Sequence, residues 1–353
     1  MQHQIQAEEL LKILDLPAFA VLDGKIILAN DAALHRQIEV GAQIAPLLLT
    51  GAETYEAFTD GRLHLRLSVA DTVWDASVTK ASSVDIFLME RTANDSELQI
   101  LSLAAMQLRS PLTEILSLTD HLFANSNDAD KDSLSKINRS LLSIQRLLSN
   151  MADAPRYSNS TNCLMNSQNA TAYFREIMEK AATLLDASGH KLEYVLPQED
   201  ILVLLSTERL ERAIYNLLSN AAKFSPTGST IQAKLEICGE LLMFTVTDES
   251  HGLPADISGN IFTRYLREPA IEDSRIGMGL GMLYVCAAAS AHGGTVLLRQ
   301  PEGKGISVTI TISTKPSAAG TIRSDIFQID YSGGQDHALL ELSDVLHPEL
   351  YKR

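Results

Sequence analysis

The sequence predicts a multidomain α+β protein, and three observations carry that prediction. Short alternating strands around an Asp-Gly turn fill the first third, two long heptad-patterned stretches follow, and a strongly amphipathic helix later opens a second set of strands. A chain of 353 residues is long enough for two or three hydrophobic cores. Its 44 Asp and Glu against 29 Lys and Arg leave a formal charge of −15. That balance argues against nucleic acid and anionic membrane surfaces as partners, but it allows a nucleotide site that gathers a few cations locally. Cys163, Cys238 and Cys286 are odd in number and widely spaced, which reads as reduced thiols rather than a disulfide framework. The first residues lack a signal-like pattern and no apolar run has spanning length, so a cytoplasmic protein is expected.

Residues 1–92 are expected to form one α/β domain. Residues 8–14 read as a short amphipathic helix ending before Pro17. Ala18–Leu22 and Lys25–Ala29 flank Asp23-Gly24, a strong hairpin signal, and Asn30 is placed to cap a helix. Leu63, Leu65, Leu67 and Val69 alternate with polar residues, and 73–79 and 84–90 supply two more strands. Strand, Asp-Gly turn, strand, Asn and small residues together resemble the opening of a PAS-like sensor domain. No cysteine lies here, which excludes flavin–thiol photochemistry, and His35 reads as an ordinary surface or core histidine.

Residues 93–155 carry the heptads. Leu98, Leu101, Ala105, Leu108, Leu112, Ile115, Thr119 and Leu122 step by three and four. After a polar break at 125–130, Leu134, Ile137, Leu141, Ile144, Leu148 and Met151 repeat the spacing. Two such helices have too little core alone, so a homodimer forming a four-helix bundle is expected. Met106-Gln107-Leu108-Arg109-Ser110-Pro111-Leu112 resembles the phosphoacceptor segment of histidine kinases, His-Glu-Leu-Arg-Thr/Ser-Pro-Leu. Arg109 and Pro111 are kept, and Pro111 is expected to kink the helix. The two residues that carry the chemistry are changed. A Met106 thioether cannot form a phosphoramidate, and a Gln107 amide cannot act as a base at neutral pH. With Leu98, Ala105 and Leu112 at heptad position a, Met106 falls at b, away from the seam. His121 lies about 22 Å further along the axis without the Arg and Pro that follow the family's acceptor, so it reads as a solvated histidine.

Over 156–315 the pattern changes again. Residues 171–188 read as a helix closed by Gly189, and 193–196 and 201–205 as short strands. In the helix that begins near Thr207, Asn216, Asn220 and Lys223 fall at i, i+4 and i+7 on one polar stripe. Leu210, Ile214, Leu217, Leu218 and Ala221 cover the other side. Residues 230–237 and 241–248 form a hairpin across Gly239-Glu240, leaving Asp248 at the end of an apolar strand, where a carboxylate needs a partner. Gly277, Gly279 and Gly281 open a helix running to about 292, and such small residues let backbone N–H groups approach an anion. Strands at 295–299 and 305–313 follow. No βαβ unit follows the glycines, which excludes a Rossmann fold.

Asn216-Leu-Leu-Ser-Asn220-Ala-Ala-Lys223-Phe224 closely resembles the asparagine box of the histidine-kinase and Hsp90-type ATPase superfamily. Asp248-Glu-Ser250-His-Gly252 is similar to its Asp-Xaa-Gly-Xaa-Gly box. Asn260 with Phe262, Arg264 and Arg267 resembles its phenylalanine box, and Gly277-Met-Gly279-Leu280-Gly281 its glycine-rich box. The resemblance implies an α/β-sandwich ATPase domain of the Bergerat type, with helices on one face of a mixed sheet, that binds ATP and Mg²⁺. Asn220 would ligate the metal, whose hardness suits a neutral amide oxygen. Asp248 would accept from the adenine amino group, with Arg264 and Arg267 near the phosphates. Ser250 replaces a family glycine; a residue with a Cβ held at φ > 0 costs about 1 kcal/mol or more, so nucleotide would bind more weakly or in a reshaped loop.

Residues 316–353 read as a linker at 316–320 followed by an amphipathic helix carrying Leu339, Leu342, Val345 and Leu346 and ending at Pro348. The combined expectation is a dimeric, ATP-binding, histidine-kinase-like signalling protein that cannot autophosphorylate in the usual way. Its expected partner is a response regulator or another signalling protein. The alternatives are an active kinase that phosphorylates a partner in trans, and a nucleotide-independent dimeric scaffold.

Overall fold

The computed structural model describes residues 11, 14–57, 59–81, 84–91, 95–159, 163–252, 262, 280–300, 305–315 and 335–352. The helix expected at 8–14 therefore lies almost wholly outside the described residues. In the N-terminal part, β1 (Ala18–Leu22) and β2 (Lys25–Ala29) meet across Asp23 and Gly24, both at positive φ (49° and 73°). A two-residue turn of that kind matches the right-handed twist of the strands it joins. The Asn30 side chain accepts from the Ala33 N–H to cap α1 (Asp31–Leu34), and its amide donates to the carbonyls of Leu14 and Leu16. After α2 (Ala52–Ala57), β3 (Arg62–Val69), β4 (Thr72–Ala81) and β5 (Val84–Arg91) form a meander beside β1. Phe19 and Phe87 stack at 4.8 Å in its core.

Two long helices follow, α3 (Asp95–Ala124) and α4 (Asp128–Asn159), packed on each other as a hairpin. α3 runs continuously through Pro111. The apolar seam splits: Leu98, Ala105, Leu112 and Thr119 are buried, together with Leu116 and Phe123. Leu108, Ile115 and Leu122 are about half exposed, at 54%, 48% and 56%.

The remaining unit contains β6 (Asn166–Asn169), α5 (Ala170–Asp186), β7 (Lys191–Val195), β8 (Leu202–Leu205), α6 (Thr207–Phe224), β9 (Thr230–Cys238), β10 (Leu241–Thr247), α7 (Leu280–Ala291), β11 (Val296–Arg299) and β12 (Ser307–Ser313). β7 pairs with β9 in parallel and the other pairs are antiparallel, so the sheet is mixed. Strict alternation of buried and half-buried residues along β10 shows one face covered by helices. β6, a strand not expected from the sequence, pairs with β8 in a separate two-stranded sheet.

The N-terminal sheet and the large mixed sheet of this unit are continuous. β3 pairs antiparallel with β11 (His64 opposite Val296, Leu63 opposite Leu297), giving ten strands in the order β2-β1-β5-β4-β3-β11-β12-β10-β9-β7. Joining the two edges satisfies backbone groups that would otherwise be exposed. Leu297 packs into the N-terminal core. Gly61 permits the approach, since a Cβ there would lie 2.5 Å from the Leu298 carbonyl.

The C-terminal segment folds back on α4. The helix expected to reach Pro348 is only α8 (His337–Glu341); turns at 342–345 and a 3-10 turn at Pro348–Tyr351 replace the rest. That path buries Leu340, Leu342, Leu346 and Tyr351 together, and the Tyr351 hydroxyl donates to the Leu339 carbonyl. Among the described residues no helix is long and apolar enough to cross a membrane.

His292, at the end of α7, is wholly enclosed. Its Nε2 accepts from the Ser206 N–H at 2.9 Å, so the Nδ1 proton faces the Ala288 carbonyl at 2.7 Å. Burial pushes its pKa down to about 4. Between that value and the ordinary 6.5 the unfolded chain binds the extra proton. The linked stability is therefore fully present above pH 6.5 and is lost as pH falls toward 4, by up to about 3 kcal/mol. Urea unfolding at pH 7 and pH 5 is expected to show a fall that shrinks by about 2 kcal/mol in His292→Gln. An identical pH dependence in both proteins would contradict this.

Candidate nucleotide site

α6 carries the polar stripe, and the structure fixes each member differently. Asn216 is 1% exposed; its Nδ2 donates to the Arg212 carbonyl at 2.8 Å and its Oδ1 accepts from Arg146 Nη2 at 3.1 Å. It faces the first turn of α7, where a Cβ on Gly281 would lie 3.0 Å from Asn216 Oδ1 and 3.9 Å from Asn220 Nδ2. The close approach of α7 to the stripe thus favours glycine at 281. Asn220, one turn on, is half-buried. Lys223 ends the stripe, with Nζ 3.3 Å from Asp344 Oδ2, and Phe224 is half-buried at the end of α6.

Asp248 has the partners that its position at the end of β10 demands. Its Oδ1 accepts from the Ser250 and Ile306 N–H groups, both at 2.9 Å, and from the Ser250 hydroxyl at 2.6 Å. Three donors on one oxygen orient the carboxylate. The strain expected at Ser250 is absent, because Ser250 lies outside the left-handed region and its buried hydroxyl serves Asp248. The positive φ of this loop falls at Gly252 (85°), where a Cβ would strike the Gln300 amide at 2.2 Å.

Five charged residues outside the sequence motifs, Arg146, Asp153, Arg212, Glu341 and Asp344, complete the surroundings. Arg146, projecting from α4, donates from Nε to Glu341 (3.0 Å), from Nη1 to Asp344 (3.1 Å) and Ser219 (3.2 Å), and from Nη2 to Asn216. Arg212 has no exposed surface; it bonds Asp153 at 2.9 Å and Asn150 at 2.8 Å, reaches Glu341 at 3.5 Å and lies 4.0 Å above the Tyr284 ring. The one available signal was position: Arg212 stands four residues before Asn216 and extends the same face.

The other expected residues scatter. Met106 is 51% exposed on α3, in an open groove with Arg109, Ser110, Thr113, Glu114 and Leu118. Gln107 and Pro111 are exposed, and Arg109 donates to Ser149 at 3.1 Å across the hairpin. Leu280, expected beside the nucleotide, instead buries its side chain against Leu98, Ala154 and Tyr157, because an apolar side chain there completes the contact between α7 and the hairpin. Phe262 is buried, its ring 5.5 Å from that of His64. Arg264, Arg267, Gly277 and Gly279 lie outside the described residues.

This donor set fits a nucleotide with Mg²⁺. Asp248 presents an oriented acceptor, Gly281 leaves space beside Asn220, and Asn220 offers a neutral amide oxygen. Among the described residues no three His, Cys, Asp or Glu side chains could hold a metal ion.

Residues 206–316 match the family described as histidine kinase-, DNA gyrase B-, and HSP90-like ATPase. The chain is 39% identical over 109 residues to the sensor protein KdpD of Clostridium acetobutylicum, covering 31% of this chain and 12% of that protein. It is 25% identical over 304 residues to a sensor-like histidine kinase of Rhizobium meliloti, covering 82% of this chain and 56% of the relative. Among solved structures, full-length ShkA in complex with AMPPNP aligns with a TM-score of 0.49 at 19% identity, covering 62% of this chain and 47% of that one. The chain thus spans between about an eighth and somewhat over half of these two curated relatives.

Proposed function

We propose that the chain, whose residues 206–316 match the histidine kinase-, DNA gyrase B-, and HSP90-like ATPase family, is a nucleotide-binding, dimeric signalling protein of histidine-kinase type that does not phosphorylate itself at the usual position. Three observations support this reading: Asn220 stands beside Gly281, the Asp248 carboxylate is oriented by three donors, and the exposed acceptor position on α3 holds Met106. In it, Asp248 would accept from the adenine amino group, Asn220 would give its amide oxygen to Mg²⁺, and Lys223 would face the phosphates. Bound ATP supplies a transferable γ-phosphoryl group. This chain's residues bind and orient it, but Met106 has no nitrogen to receive it and Gln107 cannot remove a proton. The five-stranded N-terminal sheet supports a PAS-like sensory role, and a response regulator or another signalling protein reads the arrangement of the ATPase unit on the hairpin.

The acceptor claim is tested with γ-labelled ATP. Wild-type protein is expected to stay unlabelled, and Met106→His combined with Gln107→Glu to gain label. Label on the wild-type chain would overturn the proposal, while label passing to an added partner would favour trans phosphorylation. The dimer reading rests on Leu108, Ile115 and Leu122 of α3 with Ile137 and Ile144 of α4, all exposed on the single chain. Leu108→Glu with Ile115→Glu is expected to sediment as a monomer where the wild type sediments as a dimer. A wild-type monomer, or an unaffected dimer in the variant, would contradict it.

A further inference from the structure

We propose that the C-terminal segment 335–352 is a built-in competitor for the nucleotide site, its carboxylates taking the cations that a bound polyphosphate would draw. The proposal rests on the nucleotide reading above and adds a regulator to it. Asp344 Oδ2 lies 3.3 Å from Lys223 Nζ and 3.1 Å from Arg146 Nη1, so one carboxylate oxygen bridges the last residue of the α6 stripe and the hairpin arginine. Glu341 Oε2 accepts from Arg146 Nε at 3.0 Å and lies 3.5 Å from Asn216 Nδ2. Two anionic groups are thus held against Asn216, Lys223 and Arg146, the chemistry a triphosphate would bring to the same place.

The segment has two unequal halves, and this makes it a competitor rather than a fixed wall. Leu340, Leu342, Leu346 and Tyr351 are buried on α4 and α6, and Asp336 caps α8 through the Ala338 and Leu339 N–H groups. These contacts keep the segment at high local concentration near the site. Asp344, in contrast, keeps 31% of its side chain exposed and holds the site through charge-assisted hydrogen bonds to Arg146 and Lys223. An incoming polyanion can therefore displace Asp344 from Lys223 while the apolar anchor stays in place. Glu341, at 1% exposed, is the deeper anchor, shared by Arg146 and Arg212.

The test uses the full chain and Asp344→Asn, which removes the charge and keeps the shape. Calorimetric titration with Mg²⁺-ATP is expected to show about fivefold tighter binding by Asp344→Asn, the scale of a partly exposed ion pair. Hydrogen exchange of the wild-type amides at 342–346 is expected to quicken at saturating Mg²⁺-ATP. Binding by both proteins with equal or weaker affinity in the variant, or slower exchange on binding, would overturn the competition and leave the nucleotide reading intact. Binding by neither protein at millimolar Mg²⁺-ATP would overturn both.

Discussion

Arg212→Ala is expected to cost about 3–5 kcal/mol of folding stability, the range for removing one partner of a buried, hydrogen-bonded charge cluster. The guanidinium joins three parts of the molecule. It bonds Asp153 and Asn150 on α4, approaches Glu341 of the C-terminal segment, and lies over Tyr284 of α7, whose hydroxyl donates to the Asn150 carbonyl at 2.6 Å. Truncation leaves Asp153 and the buried Glu341 short of a cation and removes a desolvated cation–π contact. Urea unfolding checks this, and a loss under about 1 kcal/mol would mean that the hairpin and the ATPase unit do not depend on this junction. Arg212→Met, which keeps most of the volume, is expected to lose less than Arg212→Ala, because it leaves no cavity between α4, α6 and α7.

Gly281→Val is expected to weaken Mg²⁺-ATP binding about tenfold or more, by the same overpacking that costs cores about 1–3 kcal/mol. A Cβ at 281 already meets Asn216 Oδ1 at 3.0 Å, and Asn216 cannot retreat because Arg146 and the Arg212 carbonyl hold both ends of its amide. The added methyl groups of valine would extend toward Asn220, the residue proposed to hold the metal. Fluorescence or calorimetric titration measures the loss. Unchanged binding would place the nucleotide elsewhere on the domain.

Features set by local chemistry were legible in the sequence. Asp23-Gly24 announced its turn because both positions need positive φ, and the spacing of Asn216, Asn220 and Lys223 showed which face of α6 is polar. The features that escaped are those in which distant segments meet. Alternation along β3 shows which face is buried but not which strand lies alongside, so its pairing with β11 could not be read. The heptads of α3 marked an apolar seam, yet its division into residues that pack on α4 and residues left exposed needs the hairpin in three dimensions. Leu339, Leu342 and Leu346 indicated a packed C-terminal segment, but nothing in their spacing pointed Glu341 and Asp344 at Arg146 and Lys223. At Ser250 the family pattern suggested strain that the loop avoids by placing its left-handed residue at Gly252.

The central claim, a nucleotide site kept on a chain whose acceptor position cannot react, is tested most directly by calorimetric titration of Mg²⁺-ATP into the purified wild-type protein, with Asn220→Ala as control. Saturable binding to the wild type that falls at least about tenfold in Asn220→Ala is the predicted result, as expected for loss of a metal-ligating amide. No binding by the wild-type chain at millimolar Mg²⁺-ATP, or binding indifferent to Asn220, would contradict it.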